Sequence, residues 1–531
     1  MVNRSSVCNA LLAAMPSVYA LVLGSSPVCA DGDLHKVNHI IIMMQENRSF
    51  DHYLGALPYA KGTPYHAPKP PKGSTVAVCK PTDSKCVDGL TCAKKKKLLI
   101  CSNSNPDPNG NAVTSFHQTN YCPGPDFDHS WIASHQMLNF SNPDATLTSP
   151  LLDGFVRANA LTEGPNQAQP PWDTMGYYNE TDLPFYYYLA ENFAINDRYF
   201  GGVLAETFPN HAYFLAATSF GHLTTAEILL DNPPGPYMPI TGSIFDLLNE
   251  NNVSWTDYHS DFLAYSNMFE HTSSHQKPVS QFASDATAGS LPAVALVSGS
   301  PISDYDINGT KYETDEHPPY DIRAGQYYVW QNLTALRNSP SWNDSIVFIV
   351  YDEFGGFYDH VAPPAAPQAS QLTPDGIFPG QCADASNPPA STQPGGGINC
   401  VISSAIQAPG ICPAFTSTGQ YPSDCPPFNQ LGIRVPFIAV SPFAKKKYVS
   451  HTVADHTSLL ALIENRFLNG ARLTDRDGSA NDLEDMFDFK KKTPPSLKTT
   501  FKVAAPAPVQ PDAAHNCPFV FASGRLAADD D

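Results

Sequence analysis

Positive charge is scarce in this chain. Its 531 residues carry 31 Lys and Arg against 51 Asp and Glu, a formal net charge of −20. So acidic a surface repels phosphate backbones, so no nucleic-acid partner is expected, and net charge alone disfavours adsorption to anionic membranes. Long apolar runs are lacking too: beyond the first 30 residues none is long enough to cross a bilayer, so no transmembrane segment is expected. The C-x-x-C spacing of a zinc cluster is missing, and no internal repeat is visible. Apolar mass, by contrast, is ample. A hydrophobic content of 42% with 11% aromatic residues excludes a disordered chain. The length allows one large domain or two or three ordinary ones. Fifty prolines, clustered between the apolar segments, predict long loops around the core, and acidic loops are suited to divalent cations.

Residues 1–30 read as an export signal. Arg4 supplies positive charge, the stretch from Val7 to Gly24 is apolar but broken by Pro16, and Val28-Cys29-Ala30 offers a cleavage site. A retained N-terminal anchor is the alternative. Cleavage would remove Cys8 and Cys29 and leave ten of the 12 cysteines, an even number suited to disulfides in a secreted or periplasmic protein. Cys79, Cys86, Cys92, Cys101 and Cys122 lie close together, Cys382, Cys400, Cys412 and Cys425 form a second group, and Cys517 stands near the end. Their pairing is left open. Asn139, Asn179, Asn252, Asn308, Asn332 and Asn343 begin glycosylation triplets.

Three nearly continuous apolar runs, Val37 to Met44, Ile346 to Tyr351 and Val435 to Val440, suit strands of a parallel sheet buried on both faces. Helical spacing marks Phe185 to Asn192, Ile244 to Asn249, Gly325 to Leu336 and Thr457 to Phe467. The alternation predicts an α/β fold: a doubly wound, mostly parallel sheet flanked by helices. Ligands of such folds collect beyond the carboxyl ends of the strands. The expected layout is a catalytic domain over 31–493, with a Cys-rich insertion at 73–122 and a Pro- and Cys-rich one at 363–430. Residues 494–531 read as a surface tail. The lysine run Lys94 to Lys97 reads as a solvated loop, with attraction to lipid or polyanion the lesser reading.

Chemistry concentrates at the strand ends. Glu46-Asn47, after the first run, offers a carboxylate and an amide oxygen to one hard cation, or simply a turn with a helix cap. Asp352-Glu353 follows the second run, and adjacent carboxylates are costly unless a cation or proton separates them. Gly355-Gly356 permits close backbone approach, and Asp359-His360 adds supporting groups. In Glu206-Thr207-Phe208-Pro209-Asn210-His211 the proline suits a first helical turn, with Thr207 at or near the N-cap. A hydroxyl there sits among free amides suited to phosphate, and a metal beside it would make it a nucleophile. His129, His135, His317 and Asp455-His456 are candidate acid, phosphate-binding or supporting groups, and His271 and His275 could line the site.

In order along the chain, ENRSFDHYLG, TFPNH, DEHPP, YDEFGGFYDHVAPP, GIRVPFIAVSP and DHTS resemble the phosphoesterase family. That family groups non-haemolytic phospholipases C with acid phosphatases of the A type. The resemblance spans about Val37 to Phe467 and implies an alkaline-phosphatase-like core with a divalent metal ion of unspecified identity. It implies Glu46, Asn47, Thr207, Asp352 and Glu353 as metal ligands. Thr207 is the implied nucleophile, with His129, His317, Asn210 and His211 as active-site partners. The supporting groups are Asp359, His360, Asp455 and His456, and His271 and His275 match loosely. Many relatives have arginine where this chain has His211. Histidine clamps phosphate only when protonated, which points to an acidic optimum. The expected substrate is a phospholipid or a small phosphate ester, with phospholipase C action ahead of acid phosphatase action. A secreted binding protein that has lost catalysis is the distant alternative.

Overall fold

Branched and apolar side chains build a mixed eight-stranded sheet. Its strands are β1 (His39–Gln45), β2 (Ala194–Asn196), β3 (Trp255–His259), β4 (Gln276–Pro278), β5 (Val294–Val297), β6 (Ser345–Tyr351), β7 (Phe437–Val440) and β8 (Tyr448–Ser450). Across the sheet the order is β4-β3-β5-β1-β6-β7-β2-β8. The computed structural model describes residues 33–70, 77–96, 98–124, 126–143, 150–162, 171–219, 225, 241–260, 264–269, 272–367, 428–490 and 501–508.

β1 and β6 form the centre, pairing in parallel from His39 opposite Ser345 to Gln45 opposite Tyr351. Ile40 to Met43 and Ile346 to Val350 are buried there, as expected of strands covered on both faces. β7 departs from expectation. It runs antiparallel to both β6 and β2, whereas the sequence reading made it parallel. A continuous apolar run reports burial on two faces, not direction. The reversal brings Gly432-Ile433-Arg434, which precede β7, to the end of the sheet where β1 and β6 finish.

Helices cover the sheet: α1 (Phe50–Tyr53), α2 (Trp131–Leu138), α3 (Phe155–Thr162), α4 (Pro184–Asn192), α5 (Thr207–Ala216), α6 (Ile244–Glu250), α7 (Ser280–Ala288), α8 (Ile322–Arg337), α9 (His456–Phe467) and α10 (Asp475–Ser479). α9 begins with Asp455 as its N-cap, the carboxylate accepting from Thr457 N–H at 2.7 Å. A second apolar layer, built on α2, α3 and the loops carrying Leu204 and Phe354, packs beside the site end of the sheet.

The Cys-rich insertion folds into small two-stranded sheets, with disulfides Cys79–Cys86 and Cys92–Cys101. Residues 1–30, read above as an export signal, and most of the second insertion lie outside the described residues. So does His271. Phe501 to Pro508 correct the surface-tail reading. Phe501 meets the rings of Phe185 and Tyr188 on α4, and Ala505 is buried. An aromatic ring there gives the segment a reason to pack.

Candidate active site

Because β1 and β6 end level, Glu46-Asn47 and Asp352-Glu353 leave the sheet side by side. The Asn47 amide donates to Asp352 Oδ1 at 3.0 Å, the Arg48 amide to the Glu353 carbonyl at 3.0 Å and the Glu46 amide to the Asp315 carbonyl at 2.8 Å. Asn47 has a left-handed backbone, φ 58°. Gly355, also at φ 58°, lies so close that an added Cβ would sit 2.4 Å from Asn47 Cβ. Only glycine lets these two loops touch without strain.

α5 starts beside them. Glu206 is its N-cap and Thr207 its first residue, one position later than an N-cap threonine. Thr207 Oγ1 lies 3.4 Å from Glu46 Oε2 and 3.5 Å from Glu353 Oε1. Thr207 is partly exposed, while all four groups at the strand ends are buried. The free amides expected at this helix start are fewer than its sequence suggested. Phe208 N–H is taken by Thr225 Oγ1 at 3.3 Å, and Pro209 has none. Asn210 also turns away from chemistry: its amide donates to the Ala205 carbonyl at 2.7 Å and accepts from Val203 N–H at 3.2 Å. It holds the loop that delivers Thr207.

The histidines divide by place. His129 Nε2 is 3.3 Å from Glu353 Oε1 and 3.4 Å from Asn47 Nδ2, and His317 Nε2 is 3.1 Å from Asn47 Nδ2. His211 is stacked flat on Tyr265, with Nε2 3.4 Å from Glu46 Oε1 and 4.0 Å from Asp352 Oδ2. It faces the carboxylates, so its contacts do not support a phosphate clamp. His456 Nε2 bonds the Asp352 carbonyl and its Nδ1 lies 3.1 Å from Tyr199 Oη, a supporting place at the back of the loop. His135, on α2, bonds the Trp131 carbonyl at 2.7 Å and stacks on that indole. His275 is corrected outright. It stacks on Trp255 at the start of β3, the opposite end of the sheet from Glu46.

Asp359 and His360 belong to a separate buried charge network. Arg434 Nε donates to Asp359 Oδ1 at 2.9 Å and its NH2 to Asp51 Oδ1 at 3.2 Å, and His360 Nδ1 lies 2.6 Å from Asp51 Oδ2. Burial opposes a charge on His360, but Asp51 and Asp88 prevail and lift it to about 10. The ionic partners are matched there, which makes the network a brace for the loops.

Sequence reasoning passed over three further residues. Asp126 Oδ2 is 3.6 Å from His317 Nε2, and its Oδ1 is 3.4 Å from Asn47 Nδ2. Asp315 is buried and holds the His317 amide at 3.1 Å. Tyr265 donates to Glu46 Oε1. Asp126 and Asp315 sit inside motifs quoted for their histidines, whereas Tyr265 lies in no recognisable pattern.

Three buried carboxylates share this space. Burial opposes the charge of Glu46, but His211, Asp352 and Tyr265 hold it at about 2. Burial and the charges of Glu353 and Glu46 push Asp352 well above the carboxylate range, and burial lifts Glu353 to about 7. Such a group ionises fully only with added positive charge. Asn47 Oδ1, Asp352 Oδ2 and Glu353 Oε2 are buried acceptors without a hydrogen-bond partner. Glu46, His211 and Asp352 also present ligand atoms within 4.8 Å of one another. Orphaned oxygens of this kind fit a divalent cation.

The phosphoesterase family model matches residues 37–468, from just before β1 to just past α9. The chain belongs to the phosphoesterase family. It is a hydrolase acting on phosphate esters. Among its relatives is phospholipase C B of Mycobacterium tuberculosis, 27% identical over 496 residues, covering 88% of this chain and 80% of that protein. Another is non-specific phospholipase C4 of Arabidopsis thaliana, 27% identical over 493 residues, covering 88% and 76%. Among solved structures it is similar to a protein in the alkaline phosphatase superfamily from Vibrio parahaemolyticus, at 10% identity. That likeness covers 59% of this chain and 64% of the other, with a TM-score of 0.29, too slight to assign a role to any residue. No helix among the described residues is long and apolar enough to cross a membrane.

Proposed function

We propose that this phosphoesterase is a phospholipase C-type phosphodiesterase that uses Thr207 as nucleophile and a divalent cation held by Glu46, Asn47, Thr207, Asp352 and Glu353. The observation that carries the reading is the Thr207 hydroxyl, partly exposed and 3.4 Å and 3.5 Å from two buried carboxylates, beside three orphaned acceptor oxygens. The bound cation would offset the carboxylate charge and lower the cost of ionising the threonine. Thr207 gives its proton to Glu46 or Glu353, and Oγ1 attacks phosphorus in line with the glyceryl oxygen. The P–Oγ1 bond forms as the bond to diacylglycerol breaks. His317 protonates the departing oxygen, its ring oriented by Asp126 beside Nε2 and the Pro318 carbonyl on Nδ1 and its backbone amide held by Asp315, while Asn47 Nδ2 and His129 hold the phosphoryl oxygens. Water then attacks phosphorus, giving its proton to His317, and the P–Oγ1 bond breaks as the carboxylate returns its proton to Oγ1, which releases the phosphorylated head group. The phospholipase names of relatives matched over 88% of the chain support the diester, and the disulfides Cys79–Cys86 and Cys92–Cys101 suit an exported protein.

The test is turnover of p-nitrophenyl phosphorylcholine beside p-nitrophenyl phosphate, with and without chelator, at acidic and neutral pH. Preference for the diester, lost with chelator, is expected. Preference for the monoester would make the protein an acid phosphatase. Binding of a cation without turnover of either ester would leave the binding-protein reading.

A further inference from the structure

Strands Cys92–Lys95 and Leu98–Cys101 of the Cys-rich insertion pair antiparallel, and the Cys92–Cys101 disulfide closes their base. Strand alternation sorts their side chains. Cys92, Leu99 and Cys101 turn toward the apolar layer of α2 and α3. Ala93, Lys95, Leu98 and Ile100 form the opposite face and are exposed. Leu98 is 70% exposed and Ile100 45%, large apolar groups held in water by a closed hairpin.

Lys94, Lys95 and Lys96 are also exposed, and they make no ion pair among the described residues. The sequence adds Lys97. In a chain of net charge −20, this tip is a local reversal of sign. Of the eight exposed large apolar residues described, Leu98, Ile100, Ile132, Leu151, Leu161 and Trp172 belong to segments packed on that same layer. α2, which carries Ile132, starts two residues after His129 of the candidate active site.

We propose that this hairpin docks the protein on anionic phospholipid bilayers. Leu98 and Ile100 enter the boundary between head groups and acyl chains, while the lysine ammoniums meet the anionic head groups, the two signals that together hold a peripheral protein on a membrane. A nucleic acid or a soluble polyanion would use the lysines but leave the apolar face without a partner. The proposal goes beyond the catalytic reading and is measured without turnover.

The full chain is sedimented with phosphatidylcholine vesicles and with vesicles containing added phosphatidylglycerol. Two variants accompany it, Lys94→Gln/Lys95→Gln/Lys96→Gln and Leu98→Ser/Ile100→Ser, each checked for a native circular dichroism spectrum. All five positions are solvent-exposed and leave the disulfide intact. The native chain should bind the anionic vesicles and not the neutral ones, and each variant should lower the bound-to-free ratio at least about tenfold. Added salt should imitate the lysine variant alone. Turnover of soluble p-nitrophenyl phosphorylcholine should be unchanged in both. The proposal is overturned if the native chain ignores anionic vesicles, if either variant binds like it, or if heparin binds in its place with no sensitivity to Leu98→Ser/Ile100→Ser.

Discussion

Substitution of Gly355 by alanine separates site geometry from backbone strain. The new Cβ would lie 2.4 Å from Asn47 Cβ and 2.5 Å from the Asn47 carbonyl oxygen, where ordinary contact begins at 3.4 Å. One loop must therefore move by about 1 Å, a displacement that costs about a hundredfold in rate when it falls on positioned catalytic groups. Asn47 donates its amide to Asp352 and neighbours both His129 and His317, so the shift reaches most of the site. The left-handed backbone adds about 1–2 kcal/mol of strain for any residue with a Cβ. Gly62→Ala is the control: Gly62 has φ +79° but nothing within 4 Å of its Cβ position, so it carries the strain without the collision. Both variants should lose stability in urea unfolding. Only Gly355→Ala should lose about a hundredfold in kcat/KM, measured on protein that is still folded. If folded Gly355→Ala stays within about threefold of the native enzyme, the close approach of the two loops does not set the geometry of catalysis.

Thr207→Ala should abolish turnover by at least about a thousandfold, while Thr207→Ser keeps a measurable rate; retention of most activity by the alanine variant would remove the nucleophile. Arg434→Met should cost about 3–5 kcal/mol in equilibrium unfolding, because the buried Asp359 would lose its cationic partner while Asp51 kept only His360. A loss under about 1 kcal/mol would mean that the network is dispensable. Burial and the neighbouring Asp477 lift Glu464 from its ordinary 4.5 to about 10. The folded chain therefore keeps a proton that the unfolded chain releases, and this group's contribution to stability falls as pH rises from about 4.5 to about 10. Glu464→Gln should shrink the difference between urea midpoints at the acidic and alkaline sides of that window, and an unchanged difference would count against it.

How much of this could be seen in the sequence depended on the range of the interaction involved. β1 and β6 were legible because a strand buried on both faces leaves a continuous apolar run, and their ends pointed to Glu46, Asn47, Asp352 and Glu353. α4 and α9 were legible through the helical spacing of their apolar residues, and the structure adds a proline or an aspartate at the start. β2, β3, β4, β5 and β8 were not, since strands of three to five residues leave too short a pattern. Tyr265 and Asp126 were missed because only the chain's return to the site gives them a role.

Local chemistry, then, was written in the sequence: which runs are buried, where a helix can start, which residues are candidates to hold a cation or attack phosphorus. Direction and company were not. Nothing local reverses β7, brings Arg434 to Asp359, turns His211 onto Tyr265 or sends His275 to the far end of the sheet. Those outcomes follow from the pairing of strands distant in the chain and from burial that leaves each charge a single set of partners, and both exist only once the whole chain has packed.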